Sequence, residues 1–147
     1  MKQLAYLLSV TLFFLSTQSF AGQGKAYVPY WKGQASGSGS NGTKLWISNI
    51  TNHTVTVDLT FYDSDGNEVS PTFSDGFVNG NQLAPKTTVH LKIDHADKFG
   101  HGLISWSNTN ANDDDAVALI AHGNRTEVST TYRFGAYGIS INNGLPF

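Results

Sequence analysis

Residues 54–62, with the sequence TVTVDLTFY, decide the fold class of this chain. Apolar side chains occupy every second position of the stretch, and the intervening positions are polar; the apolar members are Val55, Val57, Leu59 and Phe61. A period of two is typical of a β-strand with one buried face and one solvated face. We therefore predict a half-buried strand at this position.

Turn signals and further strand-like stretches flank this strand on both sides. Asp65-Gly66 favours the positive φ of a tight turn and predicts a return strand at residues 68–69. No stretch keeps a helical period for three turns. Strands of this spacing predict an all-β fold, an antiparallel immunoglobulin-like β-sandwich of about 8–9 strands, with a small closed barrel as the alternative. The other strand-like stretches are residues 25–31, 44–50, 87–93, 102–106, 116–121, 127–134 and 137–141.

Three details of the sandwich follow from the same patterns. The short turn at residues 49–53 predicts that residues 44–50 pair with residues 54–62 as a hairpin. Residues 116–121 (AVALIA) are apolar on both faces, which indicates a central strand. Trp106 shares a face with other apolar residues of its strand, and we expect it in the core.

The composition limits the classes of partner and cofactor. The 147 residues include 9 Lys and Arg against 11 Asp and Glu, and a formal net charge of −2 gives no reason to expect a nucleic-acid partner. The chain has no cysteine, which excludes disulfides, cysteine nucleophiles and thiolate metal sites. No Walker loop, GxSxG elbow or dinucleotide fingerprint occurs, and we expect no enzymatic activity and no cofactor.

Residues 1–21 have the pattern of a secretory signal peptide. Lys2 is followed by a mainly apolar stretch at residues 4–15, and small residues stand at Ser19 and Ala21, the positions that a signal peptidase reads. The apolar stretch is shorter than the ~20 residues of a membrane-spanning helix. We expect cleavage after Ala21, a secreted or periplasmic chain and no membrane insertion after cleavage. Without Lys2 the chain has 8 basic and 11 acidic residues, a formal charge of −3.

Residues 22–42 precede the predicted sandwich domain at residues 43–147 and comprise an apolar arm and a linker. The linker is GQASGSGSNG at residues 33–42, and the arm is Tyr27, Val28, Pro29, Tyr30 and Trp31. A flexible linker would let the arm pair with a sheet edge of a neighbouring subunit, which is a route to self-assembly. Alternatively, residues 22–31 form an edge strand of the chain's own sheet, where proline is tolerated.

Short motifs along the chain occur in the order seen in one group of small β-sandwich proteins. They are Tyr27-Val28-Pro29-Tyr30, Ile47-Ser48-Asn49, Phe61-Tyr62-Asp63-Ser64-Asp65-Gly66, Leu83-Ala84-Pro85 and Leu119-Ile120-Ala121-His122. With these motifs the chain resembles proteins of the sensory-rhodopsin-transducer type over residues 27–125. The resemblance implies a β-sandwich and a non-catalytic, oligomeric protein that acts by contacts. The predicted signal peptide is a departure from that cytoplasmic family.

Aromatic side chains are the candidate ligand-binding residues. We predict that Trp31, Trp46, Tyr27 and Tyr30 offer flat rings on which sugar rings stack, while nearby Asn and Asp side chains bind the hydroxyl groups. Trp46 alternates with the apolar residues of its strand, so we expect it on the solvated face.

A metal site is a further alternative. Asp113, Asp114 and Asp115 lie among asparagines that would supply the additional oxygen ligands that calcium requires. Histidines at positions 90, 95 and 101 lie close together in the sequence, and neutral imidazole binds zinc. The alternative interpretation of both clusters is a solvated loop, and we assign no metal ligands.

Together, these features predict a secreted, non-catalytic β-sandwich module. We expect it to act by protein–protein contacts or self-assembly at or outside the cell envelope, with itself or another extracellular macromolecule as partner. The alternatives are a carbohydrate-binding module that uses the exposed aromatic residues and a protein that binds calcium or zinc.

Overall fold

The computed structural model describes residues 22–33, 42–93, 95, 98–127 and 135–147. Within these ranges the chain forms eleven β-strands and a single 3₁₀ turn at Asn142–Gly144. No helix in them is both long enough and apolar enough to span a membrane. The strands are β1 Gln23–Lys32, β2 Gly42–Asn49, β3 Val55–Asp63, β4 Glu68–Val69, β5 Thr72–Asp75, β6 Phe77–Val78, β7 Gln82–Leu83, β8 Thr88–Lys92, β9 Phe99–Asn108, β10 Leu119–Glu127 and β11 Gly135–Ser140.

The strands form two antiparallel sheets. Sheet A has the order β1-β9-β3-β7-β6, with β4 paired to the end of β3, and sheet B has the order β11-β10-β2-β8-β5. The predicted all-β sandwich is confirmed, and no strand pair among the described residues joins the two sheets into a barrel. The number of strands exceeds the expected one because β5, β6 and β7 were not predicted, and these strands have only two to four residues, too few to produce a periodic pattern.

The core lies between the inner faces of the two sheets. Val55, Val57 and Phe61 of β3 are almost fully buried, as their period of two predicts. The other core residues form one continuous cluster with them, and its burial is the main stabilising contribution in a chain without disulfides. Sheet A adds Ala26, Val28, Trp31, Leu83, Ile104 and Trp106, and sheet B adds Leu45, Ile47, Val89, Leu91, Leu119, Ala121 and Ile139.

The hairpin predicted between β2 and β3 is wrong, because the two strands belong to different sheets. Asn49, at the end of β2, is buried and organises the connection. Its Nδ2 donates to the carbonyl oxygens of His53 at 2.7 Å, Leu83 at 3.0 Å and Ala84 at 3.1 Å. Its Oδ1 accepts from the N–H of Thr51 at 2.9 Å. These bonds direct the chain from sheet B into sheet A.

The tight turn after β3 forms as predicted, and Gly66 has a φ of +82°. The Oδ1 of Asp63 accepts from the backbone N–H groups of Asp65 and Asn67, each at 2.9 Å. Its Oδ2 accepts from the Nζ of Lys98 at 3.1 Å. The backbone bond from Asn67, together with the bond from Lys98, lowers the pKa of Asp63 from 3.8 to about 2.

Strand β10 lies between β11 and β2, so the strand predicted as central at residues 116–121 is central. Its bounds differ from the predicted ones, because the strand begins at Leu119 and runs to Glu127, while Val117 is exposed before it. The predictions that lie wholly or mostly outside the described residues are the signal peptide at residues 1–21, the linker at residues 33–42 and the strand at residues 127–134.

Candidate functional site

The predicted arm is a strand of the chain's own sheet. β1 lies at the edge of sheet A and pairs with β9 along its length, from Gln23 to Lys32. Val28 and Trp31 of this strand are fully buried in the core. Ala26 of the same strand is also a core residue, and a strand that supplies three core side chains cannot leave its sheet without opening the core. The interpretation as a detached arm is therefore wrong, and the chain adopts the edge-strand alternative.

The middle of β1 is irregular in a way that protects its outer edge. The register against β9 shifts between Val28 and Trp31, so Pro29 and Tyr30 lie in a bulge. Proline offers no N–H group, and prolines, bulges and lysines are the features with which natural edge strands resist pairing with another strand. The strand also carries two lysines, Lys25 and Lys32.

Trp31 is a core residue, so its prediction as a sugar platform is wrong. Its ring is fully buried, and its Nε1 donates to the carbonyl oxygens of Tyr62 and His101, each at 3.1 Å. An aromatic run beside a proline has the same sequence pattern whether its rings face solvent or the core. The pairing of β1 with β9 determines that the Trp31 ring faces the core. That pairing cannot be predicted from the sequence of β1 alone.

Trp46 lies on the outer face of sheet B, as predicted, but both faces of its ring are covered. It stands opposite His90 of β8 and His122 of β10. The His90 ring stacks on one face at a centroid distance of 5.0 Å, and the His122 ring stacks on the other at 5.3 Å. Stacking of a sugar requires a free face. The prediction of Trp46 as a stacking platform is therefore wrong.

Two tyrosines and an arginine cluster where β1 and β11 come together. Arg125 of β10 stands opposite Tyr137 of β11, which is 56% exposed. The guanidinium of Arg125 lies 5.7 Å from the ring centroid of Tyr30, and its Nη1 donates to the Tyr30 hydroxyl oxygen at 3.3 Å. Tyr30 was predicted as a binding residue. Arg125 and Tyr137 were not, because their neighbourhood depends on the pairing of β10 with β11.

Strand β11 is the open sheet edge beside this cluster. Among the described residues, five strands pair on one side only, namely β1, β4, β5, β6 and β11. β4, β5 and β6 have two to four residues, and β1 carries the bulge. β11 has six residues, GAYGIS, without charge or proline, in regular pairing with β10. Its outward N–H and C=O groups can pair with another strand. β11, Tyr30, Arg125 and Tyr137 together form the tyrosine edge.

A polar groove crosses the outer face of sheet A, one row away from Tyr27, which is 63% exposed. Lys25 of β1 stands opposite Ser105 of β9, and Ser105 stands opposite Asp58 of β3. The Nδ2 of Asn81 donates to the Asp58 carboxylate at 2.9 Å. This sheet A groove combines an amine, a carboxylate and hydroxyl groups next to an exposed aromatic ring.

The acidic loop faces an imidazole. The Nδ1 of His53 lies 2.8 Å from the Oδ2 of Asp115, and its Nε2 lies 4.0 Å from the Oδ1 of Asp113. The hydrogen bond to Asp115 raises the pKa of His53 above 6.5, against a smaller opposing effect of desolvation. Asp114 is exposed. In the described part of the chain, no three His, Asp or Glu side chains are grouped so as to hold a metal ion. The calcium and zinc alternatives stay predictions.

Comparison with known proteins adds evidence on the fold. No family model and no curated protein matches the sequence. The crystal structure of Thermotoga maritima 1070 is similar, with a TM-score of 0.53 and 19% sequence identity, over 80% of this chain and 90% of that chain. At this level of identity the likeness shows a shared fold, and a fold does not imply a function. The resemblance to sensory-rhodopsin-transducer proteins stays a prediction.

Proposed function

We propose that this protein is exported, is not an enzyme and acts by protein–protein contact through the tyrosine edge, with a second copy of the chain as its first partner. The observation that carries the proposal is the coincidence at β11 of two features. One is a regular, uncharged, open edge of six residues. The other is a flanking set of two part-exposed tyrosines and an arginine.

These two features contribute to binding in different ways. An added strand makes main-chain hydrogen bonds along an open edge, which supply affinity whatever the sequence. Tyrosine and arginine are the side chains that most often dominate the energy of an interface. The contact between Arg125 and Tyr30 holds both side chains in place before binding, so less side-chain entropy is lost on association.

A second copy fits the edge by symmetry. Two β11 strands can pair antiparallel about a two-fold axis, which would join two B sheets into one continuous sheet. The chain that begins at Gly22 carries a formal charge of −3, but β11 itself has no charged residue, so no like charges would face each other across the pair. Tyr137 of each copy would then lie against the strand of the other.

Sedimentation velocity of residues 22–147 over a range of concentrations tests this proposal. We expect a monomer–dimer equilibrium that Tyr137→Lys shifts toward monomer, because a lysine on an edge strand opposes pairing. Val78→Lys is the matched control, since Val78 is 46% exposed on another edge strand, β6. A monomer at every concentration would contradict self-association. Equal weakening by both variants would show that the contact is not at β11.

Export is supported by the sequence of residues 1–21. The test is N-terminal sequencing of the chain recovered outside the cytoplasm, and we expect Gly22 as its first residue. Recovery of the uncleaved chain from the cytoplasm alone would contradict export.

The sheet A groove supports a second candidate function, the binding of a carbohydrate. The groove offers hydrogen-bonding groups for sugar hydroxyls, and Tyr27 is the most exposed of the four aromatic residues that the sequence predicts as ligand-binding. On a glycan array we expect signals that Tyr27→Ser and Asp58→Asn both remove and that Val78→Ser leaves unchanged. Absence of any signal with the parent chain would leave protein contact as the sole proposal.

A further inference from the structure

The first residue after the expected cleavage site is held at one corner of the sandwich. The carbonyl oxygen of Gly22 accepts from the backbone N–H of Asn108 at 3.0 Å, which attaches the start of β1 to the end of β9. Asn108 and Asp115 lie next to Gly22, Asp113 accepts a hydrogen bond from Asn108, and His53 pairs with Asp115. These five residues form the N-terminal corner. A Cβ atom on Gly22 would lie 1.5 Å from the carbonyl oxygen of Asp115, so no residue larger than glycine fits without a shift of the loop.

A buried acceptor in this corner has no donor. Asn108 is 8% exposed, and its Nδ2 donates to the carbonyl oxygen of Asp113 at 2.9 Å. That bond defines which side of the amide is oxygen, and the oxygen Oδ1 is buried with no hydrogen-bond partner. The Nδ2 of this amide, which is bonded to the same carbon as Oδ1, lies 3.2 Å from the position that a Cβ of Gly22 would take, so the amide group is next to Gly22. Buried acceptors without a donor are rare in folded proteins. The corner therefore has room in its hydrogen bonding for one further donor group, directed at Asn108 Oδ1.

The corner is also negatively charged. The side chains of Asp113 and Asp115 are only 15% and 17% exposed, and both carboxylates lie near the His53 ring. The charges of Asp113, Asp115 and the exposed Asp114 all act on the His53 ring and raise its pKa. Such an environment favours a further cation that can also donate hydrogen bonds.

We propose that the N-terminal corner is the binding site for the α-ammonium group that cleavage after Ala21 creates on Gly22. In that cleavage, water adds its hydroxyl group to the carbonyl carbon of Ala21, and the nitrogen of Gly22 leaves with a proton. At neutral pH it takes up another proton from solvent. An amide with a single N–H thus becomes a cation with three donors, beside Asn108 Oδ1 and the carboxylates of Asp113 and Asp115. The proposal rests on the proposed export, and it makes removal of the signal peptide the step that completes the fold.

The test compares three chains that differ only at this terminus. One begins at Gly22 with a free amine, the second is the same chain with its α-amino group acetylated, and the third retains Ala21. Melting temperatures are measured from about pH 5 to pH 10 in the Tyr137→Lys background, so that association does not contribute. We expect the free-amine chain to melt roughly 3–6 °C above the other two at neutral pH.

The pH dependence has a definite sign. An α-amino group has an ordinary pKa of ~7.7–8.0, and acidic neighbours raise it in the folded state. The added stability is therefore complete below that value and is lost as the pH rises through the raised one. His53 titrates in the same corner, so the comparison is repeated in a His53→Gln background. The difference between the chains should persist there.

A double-mutant cycle gives the specific control. The effect of acetylation is measured within the parent chain and within Asp113→Asn/Asp115→Asn, so that general effects of the substitutions on folding cancel. We expect acetylation to matter much less without the two carboxylates. Equal melting temperatures for the acetylated and free-amine chains at every pH would overturn the proposal. Failure of export is seen separately, since sequencing of the exported chain would then not begin at Gly22.

Discussion

Strands β1 and β11 lie side by side at the same edge of the sandwich, one in each sheet, and differ in what they expose. β1 supplies Val28 and Trp31 to the core, but its outer edge is interrupted by a bulge at Pro29 and Tyr30. β11 supplies the buried Ile139, and its outer edge is regular and uncharged. The strand whose sequence suggested an assembly arm is thus the protected one, and its neighbour is open.

An aromatic, proline-containing segment is therefore not by itself a sign of an exchangeable strand. Proline and lysine on an edge strand act against pairing with other chains. The features that permit pairing are the absence of such groups and a regular register, and β11 has both. We therefore assign the larger part in stability to β1 and propose β11 as the strand through which copies associate.

Two substitutions on β1 test its role in stability, and the first of them should have the largest effect of all. Trp31→Ala removes a fully buried ring and its two hydrogen bonds, and we expect a loss of about 3–5 kcal/mol in the free energy of unfolding. Tyr30→Ala, at a half-exposed neighbour, should cost less than about 1 kcal/mol. Urea denaturation measures both. Similar small losses for the two variants would mean that β1 does not belong to the core.

The next largest effect is expected for a lysine substitution on β11, which tests the role of this strand in association. We expect Tyr137→Lys to weaken the dimer by about tenfold or more, while Tyr27→Lys on β1 changes it by less than about twofold. Both residues are more than half exposed, so neither substitution should alter folding much. Sedimentation equilibrium measures the two constants. A larger effect at Tyr27 would reverse the assignment of the two edges.

A substitution at Asp63 is expected to have a smaller effect, which changes the pH dependence of stability and leaves association unchanged. The pKa of Asp63 is lowered to about 2, so its contribution to stability is present above pH 4 or so and is lost as the pH falls toward 2. We expect Asp63→Asn to reduce the difference in melting temperature between about pH 5 and pH 2.5. The turn lies outside the tyrosine edge, so the variant should dimerise normally at neutral pH. An unchanged pH difference in the variant would contradict the role of Asp63.

The smallest effect that we expect concerns His53, whose contribution to stability is lost as the pH rises, whereas that of Asp63 is lost as the pH falls. The raised pKa of His53 means that its pairing with Asp115 stabilises the fold below about pH 6.5 and that this contribution is lost as the pH rises through the raised value. We expect His53→Gln to lower the melting temperature at pH 5.5 more than at pH 8.5. The measurement is thermal unfolding followed by circular dichroism. An equal decrease at both values would mean that the pair does not act through charge.

The sequence predicts those parts of the fold whose causes are local. The alternation in β3 and the turn at Gly66 depend on neighbouring residues, and both were predicted. The connection after Asn49 depends on the carbonyl oxygens of Leu83 and Ala84, which are 34 and 35 residues away in the chain. A short turn is compatible both with a hairpin and with a crossing between sheets, so length alone could not distinguish them.

The candidate site was less predictable than the fold because it depends on register between strands. The solvated position of Trp46 follows from its own strand, but the stacking of His90 and His122 requires the pairing of β8, β2 and β10. Arg125 and Tyr137 come together in the same way, through the pairing of β10 with β11. A single sequence contains no direct signal of which strands are neighbours.

Hydrogen–deuterium exchange at two protein concentrations distinguishes β1 from β11 by the protection of their backbone N–H groups. The outward N–H groups of an open edge exchange rapidly and become protected when another strand pairs with them. We expect protection in residues 135–140 to increase with concentration, while protection in residues 23–32 stays constant. An increase confined to residues 23–32, or no change in either strand, would contradict association through β11.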